Sequence, residues 1–134
     1  MPPHKQNESS DAPPRGVRVL IVEDEPSARE ASMRFLDRCG CEVATAGEAN
    51  EAIEQAEQLQ PDVVVCDWQL GGSKTGVDVA RELQQRYNVH IIFVTAYPLD
   101  ELRNASNGIR VHRYLRKPIS LNSLAETIAS IPSW

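Results

Sequence analysis

Five side chains of this sequence have the chemistry to hold a divalent metal ion beside a phosphoryl group. Three are carboxylates, one is a hydroxyl and one is an ammonium group, and each lies at or just after the end of an apolar run: Glu23, Asp24, Asp67, Thr95 and Lys117. Three carboxylates at close range repel one another, and a hard divalent cation such as Mg²⁺ removes that conflict. We expect Asp24 and Asp67 to bind the metal directly and Glu23 to bind it through water. The backbone carbonyl of Gln69 can supply a further oxygen.

Asp67 is the side chain that we expect to react. A carboxylate oxygen can attack a phosphoryl group and form an acyl phosphate, and this reaction depends mainly on positioning and on positive charge. Lys117 and the metal ion would supply that charge. The Thr95 hydroxyl can donate to a phosphoryl oxygen only once the group is present, so we expect Thr95 to sense the modification and move the loop that follows it.

Each of these residues also has an ordinary structural explanation. Asp24 could cap a helix that begins at Pro26, and Thr95 could be a β-branched strand residue. Lys117 could be a solvated loop lysine. For any single residue the structural explanation is the simpler one. It would, however, have to apply to all five residues, each at or just after the end of a predicted strand. The prediction of a functional site therefore rests on the whole set of residues.

The pattern of apolar residues predicts five strands that alternate with five helices. The predicted strands are residues 17–22, 42–46, 63–67, 89–95 and 110–115, and the predicted helices are residues 26–39, 48–59, one following Gly76, 98–106 and 121–131. Continuous apolar strands joined by helices predict a parallel sheet that is covered on both faces. Right-handed crossovers bring the carboxyl ends of all strands to one edge, where ligand sites of open α/β sheets lie.

Composition and charge exclude several classes of function. The chain has 134 residues, of which 41% are hydrophobic and 25% charged, as in an ordinary globular domain. A net charge of −5 argues against binding to nucleic acid or to a membrane surface. Because the sequence shows neither a signal peptide nor a membrane-spanning run, we expect a cytoplasmic location. We expect residues 1–15 to be a disordered, proline-rich tail and residues 16–134 to form one domain.

Four segments resemble the receiver domain of two-component response regulators: residues 19–25, 63–67, 94–96 and 114–118. The resemblance covers residues 17–131, and the motifs occur in the order and at the separations of that family. It implies a flavodoxin-like (βα)5 fold, a doubly wound α/β sandwich of three layers with a parallel five-stranded sheet in the order 2-1-3-4-5.

The resemblance also implies a role for each site residue. Asp67 accepts a phosphoryl group from a sensor histidine kinase or a histidine phosphotransfer protein. Glu23 and Asp24 match the acidic pair that binds Mg²⁺, the cofactor. Thr95 matches the family's hydroxyl residue and Lys117 its phosphate-binding lysine. The protein is expected not to be an enzyme, apart from assisting its own phosphorylation and dephosphorylation.

Three further positions matter in this family. Tyr114 matches the switch aromatic residue that turns inward on activation. The positions that tune the lifetime of the phosphoryl group are Gln69 and Tyr97 here, and the bulky Tyr97 predicts slow autodephosphorylation. The loop of residues 70–76 lacks the usual proline and is one residue longer, which should alter its shape more than the chemistry.

A downstream protein partner is expected on the face formed by the fourth helix, the fifth strand and the fifth helix. The sequence from Leu102 to Ala125 contains no Asp or Glu, but it contains Arg103, Arg110, Arg113, Arg116 and Lys117. An arginine-rich face that Tyr114 remodels favours an acidic partner or self-association, and the alternative is a chance excess of arginine. Receiver domains often pair through this face when phosphorylated, so the resemblance makes a phosphorylation-dependent homodimer possible. From the negative net charge we expect no direct contact with nucleic acid or membrane.

Two other functions are compatible with parts of the pattern. One is a receiver-like adaptor that is never phosphorylated. The other is a magnesium-dependent phosphatase with an aspartate nucleophile, although such enzymes usually carry a second carboxylate where this chain has Gln69. A receiver of this kind either stands alone and acts by protein contact or belongs to a larger protein.

Overall fold

A five-stranded parallel sheet crosses the middle of the molecule in the computed structural model, which describes residues 12–134. The strands are β1 (Arg18–Val22), β2 (Glu42–Ala46), β3 (Val63–Asp67), β4 (His90–Thr95) and β5 (Val111–Arg116). The helices are α1 (Pro26–Arg38), α2 (Ala49–Leu59), α3 (Gly76–Arg86), α4 (Leu99–Ala105) and α5 (Leu121–Ala129). The predicted alternation of five strands and five helices is confirmed, and the predicted ends differ by one or two residues.

The strand order is β2-β1-β3-β4-β5, which confirms the doubly wound, flavodoxin-like topology. All neighbouring strands are parallel. β3 lies at the centre and is buried along its whole length, as its uninterrupted apolar run requires. Its last residue, Asp67, is paired with Val94, so Thr95 lies one residue further along the neighbouring strand.

Helices cover both faces of the sheet, because successive strand residues point to opposite sides. On one face Leu20, Val64 and Phe93 pack with buried residues of α2, α3 and α4. On the other face Ile21 and Ile92 pack with buried residues of α1 and α5. Among the described residues, no helix has the length and apolar character needed to cross a membrane.

The edge strand β5 does not follow a simple alternation. Ile91 is paired with Val111 but Ile92 with Arg113, so β5 holds one extra residue, His112. The shift aims Val111 and Tyr114 at the same core as α4, whereas His112 contacts α5 through a 3.2 Å hydrogen bond between Nε2 and the Thr127 carbonyl. A bulge of this kind re-aims the side chains that follow it.

The predicted tail of residues 1–15 falls partly on residues 1–11, which lie outside the described residues. Pro13 is buried, and the Pro14 carbonyl accepts a hydrogen bond from the Val17 N–H at 3.3 Å. Pro13 therefore packs against the domain, and the boundary at residue 16 stays a prediction.

Candidate functional site

Three carboxylates meet at the carboxyl edge of the sheet. Glu23 and Asp24 directly follow β1 and Asp67 is the last residue of β3, and oxygen atoms of all three lie within 4.8 Å of one another. Glu23 is 9% exposed and Asp67 8% exposed, whereas Asp24 is open to solvent. Two buried carboxylates and one exposed carboxylate so close together form an oxygen-rich pocket that suits a hard divalent cation.

Lys117 reaches into this cluster from the residue that follows β5. Its Nζ donates to Glu23 Oε1 at 3.0 Å and to Asp67 Oδ2 at 2.9 Å. Burial of the ammonium group favours its neutral form, but the hydrogen bonds to Asp67 and Glu23 outweigh burial and raise the pKa of Lys117. The lysine therefore remains charged and offsets part of the repulsion between the two carboxylates.

Asp24 and Glu25, which follow Glu23, have different roles. Glu25 caps α1, since its carboxylate accepts the N–H groups of Ser27 at 3.2 Å and Ala28 at 2.6 Å. The Ala28 N–H, followed by the Ser27 N–H, lowers the pKa of Glu25. Because Glu25 serves as the helix cap, Asp24 has no capping role and is available to a ligand.

Arg29 is a site-supporting residue that the sequence reasoning did not identify. Its Nη1 donates a hydrogen bond to the Glu23 carbonyl at 2.9 Å, and this bond holds the main chain at Glu23 in place. A Cβ atom at Gly47 would lie 2.8 Å from the same Nη1, so the loop after β2 leaves room for this guanidinium. The available signal was a basic residue in the second turn of the helix that begins at Pro26.

Thr95 is fully buried at the end of β4. Its Oγ1 accepts the Tyr97 N–H at 2.9 Å, and its carbonyl accepts the Lys117 N–H at 2.8 Å. Through these two hydrogen bonds Thr95 links the start of the β4–α4 loop to Lys117. Because the hydroxyl acts as an acceptor here, its own proton remains free to be donated to a ligand.

The start of α3 packs tightly against the backbone of Asp67. The Gly76 N–H donates to the Trp68 carbonyl at 2.7 Å, and a Cβ at Gly76 would lie 1.9 Å from the Asp67 carbonyl oxygen. Cys66 points to the opposite face, as strand alternation predicts, and burial raises the pKa of its thiol far above the usual value. Gln69 is exposed in the loop between these elements, and its carbonyl as a metal ligand stays a prediction.

Two tyrosines named in the sequence analysis lie outside the acidic cluster. Tyr114 stacks on Phe93 with ring centroids 5.9 Å apart, and its hydroxyl forms a 2.7 Å hydrogen bond with Ser106 Oγ at the end of α4. Tyr97 is 51% exposed and meets Trp68 edge-on at 6.2 Å. The structure thus brings Glu23, Asp24, Asp67 and Lys117 together in one cluster, and both tyrosines lie outside it.

Comparison with known proteins agrees with this geometry. The family model described as the response regulator receiver domain matches residues 19–129. An uncharacterised response regulatory protein of Yersinia pestis is 38% identical over 117 residues, which are 86% of this chain and 48% of that protein. The transcriptional regulatory protein PdtaR of Mycobacterium tuberculosis is 34% identical over 112 residues, 83% of this chain and 54% of that protein. The chain spans about half the length of these curated relatives.

Solved structures show the same likeness. A CheY-like response regulator receiver domain protein from Methanospirillum hungatei superimposes with a TM-score of 0.77 at 25% identity, over 84% of this chain and 90% of that chain. The family match over most of the chain and the shared fold show that the chain belongs to the receiver domain family of two-component response regulators.

Proposed function

We propose that this receiver domain is a phosphorylation-controlled switch whose phosphoryl acceptor is Asp67. The observation that supports this best is the position of Lys117, whose ammonium group bridges the carboxylates of Asp67 and Glu23 inside the acidic cluster. A buried carboxylate beside an ammonium group and two further carboxylates is suited to receive a phosphoryl group when a cation is present. The donor is a phosphohistidine of a sensor kinase or of a histidine phosphotransfer protein.

The donor set fits Mg²⁺. Glu23, Asp24 and Asp67 offer only oxygen atoms, and the exposed Asp24 leaves the pocket open to the waters that Mg²⁺ retains. These three residues would hold the ion, which when bound supplies positive charge beside the incoming phosphoryl group. Arg29 keeps the main chain of Glu23 in place for this purpose.

The reaction itself is a single displacement. An Asp67 carboxylate oxygen forms a bond to phosphorus, the phosphorus–nitrogen bond of the donor phosphohistidine breaks, and the ring nitrogen keeps the electron pair. Lys117 lies 2.9 Å from Asp67 Oδ2 and so stands next to the oxygens on which negative charge collects. Thr95 donates its hydroxyl proton in a hydrogen bond to one of them.

Switching follows from the contacts of Thr95. When its hydroxyl turns to the phosphoryl group, the 2.9 Å hydrogen bond from the Tyr97 N–H is strained, and the β4–α4 loop moves with it. Movement of α4 in turn changes the 2.7 Å bond between Ser106 and Tyr114. Phosphorylation would shift an existing equilibrium between two arrangements of α4 and β5.

This function makes the chain a signalling partner in the cytoplasm that catalyses only its own phosphorylation and dephosphorylation. The expected slow loss of the phosphoryl group requires Tyr97, which packs edge-on against Trp68 next to Asp67, to close over the site and exclude water.

The test is phosphorylation by a small donor. Purified protein is incubated with acetyl phosphate and Mg²⁺, and its intact mass is compared with that of Asp67→Asn and of Asp37→Asn, which alters an exposed carboxylate of α1. We expect one phosphoryl adduct on the wild type and on Asp37→Asn, and none on Asp67→Asn or without Mg²⁺. The absence of an adduct on the wild type, even with a histidine kinase, would favour an adaptor that is never phosphorylated.

A further inference from the structure

The described part of the chain has a strongly basic surface at one edge of the sheet. Four arginines on or next to α4 and β5 are exposed, and we call them the arginine edge: Arg103, Arg110, Arg113 and Arg116. None of the four forms an ion pair with another residue within the range 12–134. Lys117, the other cation of this segment, points into the acidic cluster instead. Four guanidinium groups are therefore available to a partner.

Hydrogen bonds and one aromatic contact position three of these arginines. Gln84 of α3 holds Arg110 on both sides, since its Oε1 accepts the Arg110 N–H at 3.0 Å and its Nε2 donates to the Arg110 carbonyl at 2.7 Å. Arg113 reaches Ser130 Oγ after α5 at 3.5 Å, and Arg103 lies 5.2 Å above the Tyr114 ring. The arginine edge thus spans α4, β5 and the end of α5.

The opposite edge of the sheet carries the opposite charge. Residues 39–73 include no Lys or Arg. Five glutamates of β2, of α2 and of the residue that caps α2 are exposed to solvent: Glu42, Glu48, Glu51, Glu54 and Glu57. β2 and β5 are the two edge strands, so the charge of the domain is polarised across the sheet. A symmetric pair of chains joined through β5 would set arginines against arginines, which is unfavourable.

We propose that the arginine edge binds an acidic segment of another protein. Arginine pairs with carboxylates through two parallel hydrogen bonds, and four exposed arginines along one edge of the sheet suit several Asp or Glu side chains. A long polyanion such as a nucleic acid fits less well, because Asp100 and Glu101 in α4 and Glu126 in α5 flank the arginines and would repel its ends.

Binding would be coupled to the site through Arg103, and this part rests on the proposed function. Arg103 covers the Tyr114 ring, and Tyr114 is bonded to Ser106 at the end of α4. A change in the Tyr114 position on phosphorylation would therefore move one of the four guanidinium groups. The affinity for an acidic segment should change with the state of Asp67.

The first experiment tests the surface without phosphorylation. Fluorescence anisotropy is measured with a labelled hexaglutamate peptide and, separately, with a short DNA duplex. The test variant is Arg110→Glu/Arg113→Glu. The control variant is Arg34→Glu/Arg38→Glu, which changes the net charge of the protein by the same amount at exposed positions of α1. We expect the first variant to bind the peptide about tenfold more weakly and the second to bind it nearly as the wild type does.

Three results would overturn the proposal. They are equal losses in both variants, tighter arginine-dependent binding of the duplex than of the peptide, and concentration-dependent self-association that Arg110→Glu/Arg113→Glu abolishes. Circular dichroism confirms that both variants are folded.

The second experiment repeats the titration with Mg²⁺ and beryllofluoride. We expect the peptide affinity of the wild type to change and that of Asp67→Asn to stay constant. If wild-type affinity is unaffected although an Asp67 adduct forms, the coupling through Tyr114 is wrong. If no adduct forms on Asp67, the proposed phosphorylation of this residue is contradicted. The binding of an acidic peptide to the arginine edge is then tested by the first experiment alone.

Discussion

Lys117 is the cation that keeps two buried carboxylates together in the absence of any ligand. Replacing it by methionine would leave Glu23 and Asp67 close to each other without a counter-charge. We expect Lys117→Met to lower the free energy of unfolding by about 1–2 kcal/mol, since the lysine is partly exposed and removal of one partner leaves buried acceptors unsatisfied. Urea denaturation measures this loss, and Mg²⁺ should restore part of it.

The control is Lys74→Met, which removes an exposed lysine of the β3–α3 loop. It should change the unfolding free energy little, with or without Mg²⁺. The pKa of Lys117 is raised above its ordinary value of 10.5, so its contribution is complete below that pH and is lost as the pH rises through the higher folded value. A Lys117 contribution that persisted above the folded pKa of the lysine would contradict the assigned contacts.

The three cysteines should differ in reactivity by burial. Burial, with a smaller effect of Cys39 and Asp37, raises the pKa of Cys41 to about 11, and burial raises the pKa of Cys66 further. A thiol shifted by about two pH units holds roughly a hundredfold less thiolate at neutral pH. We expect iodoacetamide to modify the partly buried Cys39 first, and Cys41 and Cys66 only after unfolding. Peptide mass spectrometry after timed labelling checks the order.

At the scale of the elements, the contact between α3 and β3 depends on one glycine. Any Cβ at Gly76 would collide with the Asp67 carbonyl oxygen and lie 2.9 Å from Cys66 Sγ. We expect Gly76→Ala to destabilise the fold by about 3 kcal/mol or more, because neither neighbour can move without displacing β3. Thermal unfolding measures the change.

Gly71, in the loop that leads to α3, provides the comparison. A Cβ there meets nothing within 4 Å, and its backbone needs no left-handed conformation. Gly71→Ala should be neutral or stabilise by up to about 1 kcal/mol. Similar losses in both variants would show that the loop, rather than the contact with Asp67, determines the effect.

Strand positions and strand ends were predictable because they follow from local patterns. The continuous run before Asp67 requires a central strand, and the carboxyl ends of parallel strands must share one edge. The extra residue at His112 was not predictable, because a bulge depends on how β5 fits against β4. Arg29 and Ser106 were not predicted for the same reason. Arg29 acts by a hydrogen bond to the Glu23 carbonyl and Ser106 by a hydrogen bond to the Tyr114 hydroxyl, and a pattern of residues along the chain does not reveal such contacts.

Across the whole molecule, stability should be distributed unevenly. β3 and β4 are almost fully buried, whereas α4 has seven residues, no side-chain cap at its start and Leu102 as its buried anchor. We expect amide hydrogen exchange to be slowest in β3 and β4 and faster in α4 than in the other helices. Exchange mass spectrometry gives the order directly, and an α4 as protected as β3 would argue against a mobile switch element.

The two tryptophans lie at opposite ends of the strands. Trp68 follows β3 beside Asp67, whereas Trp134 contacts His90 at the start of β4, with ring centroids 5.9 Å apart, and donates its Nε1–H to the Ile128 carbonyl at 2.7 Å. Their indole rings therefore report on separate regions of one chain. A ligand at the acidic cluster should alter the emission of Trp68 alone, while loosening of the far edge should alter that of Trp134. Replacing either ring by phenylalanine would turn the protein into a single-site optical probe without any attached dye.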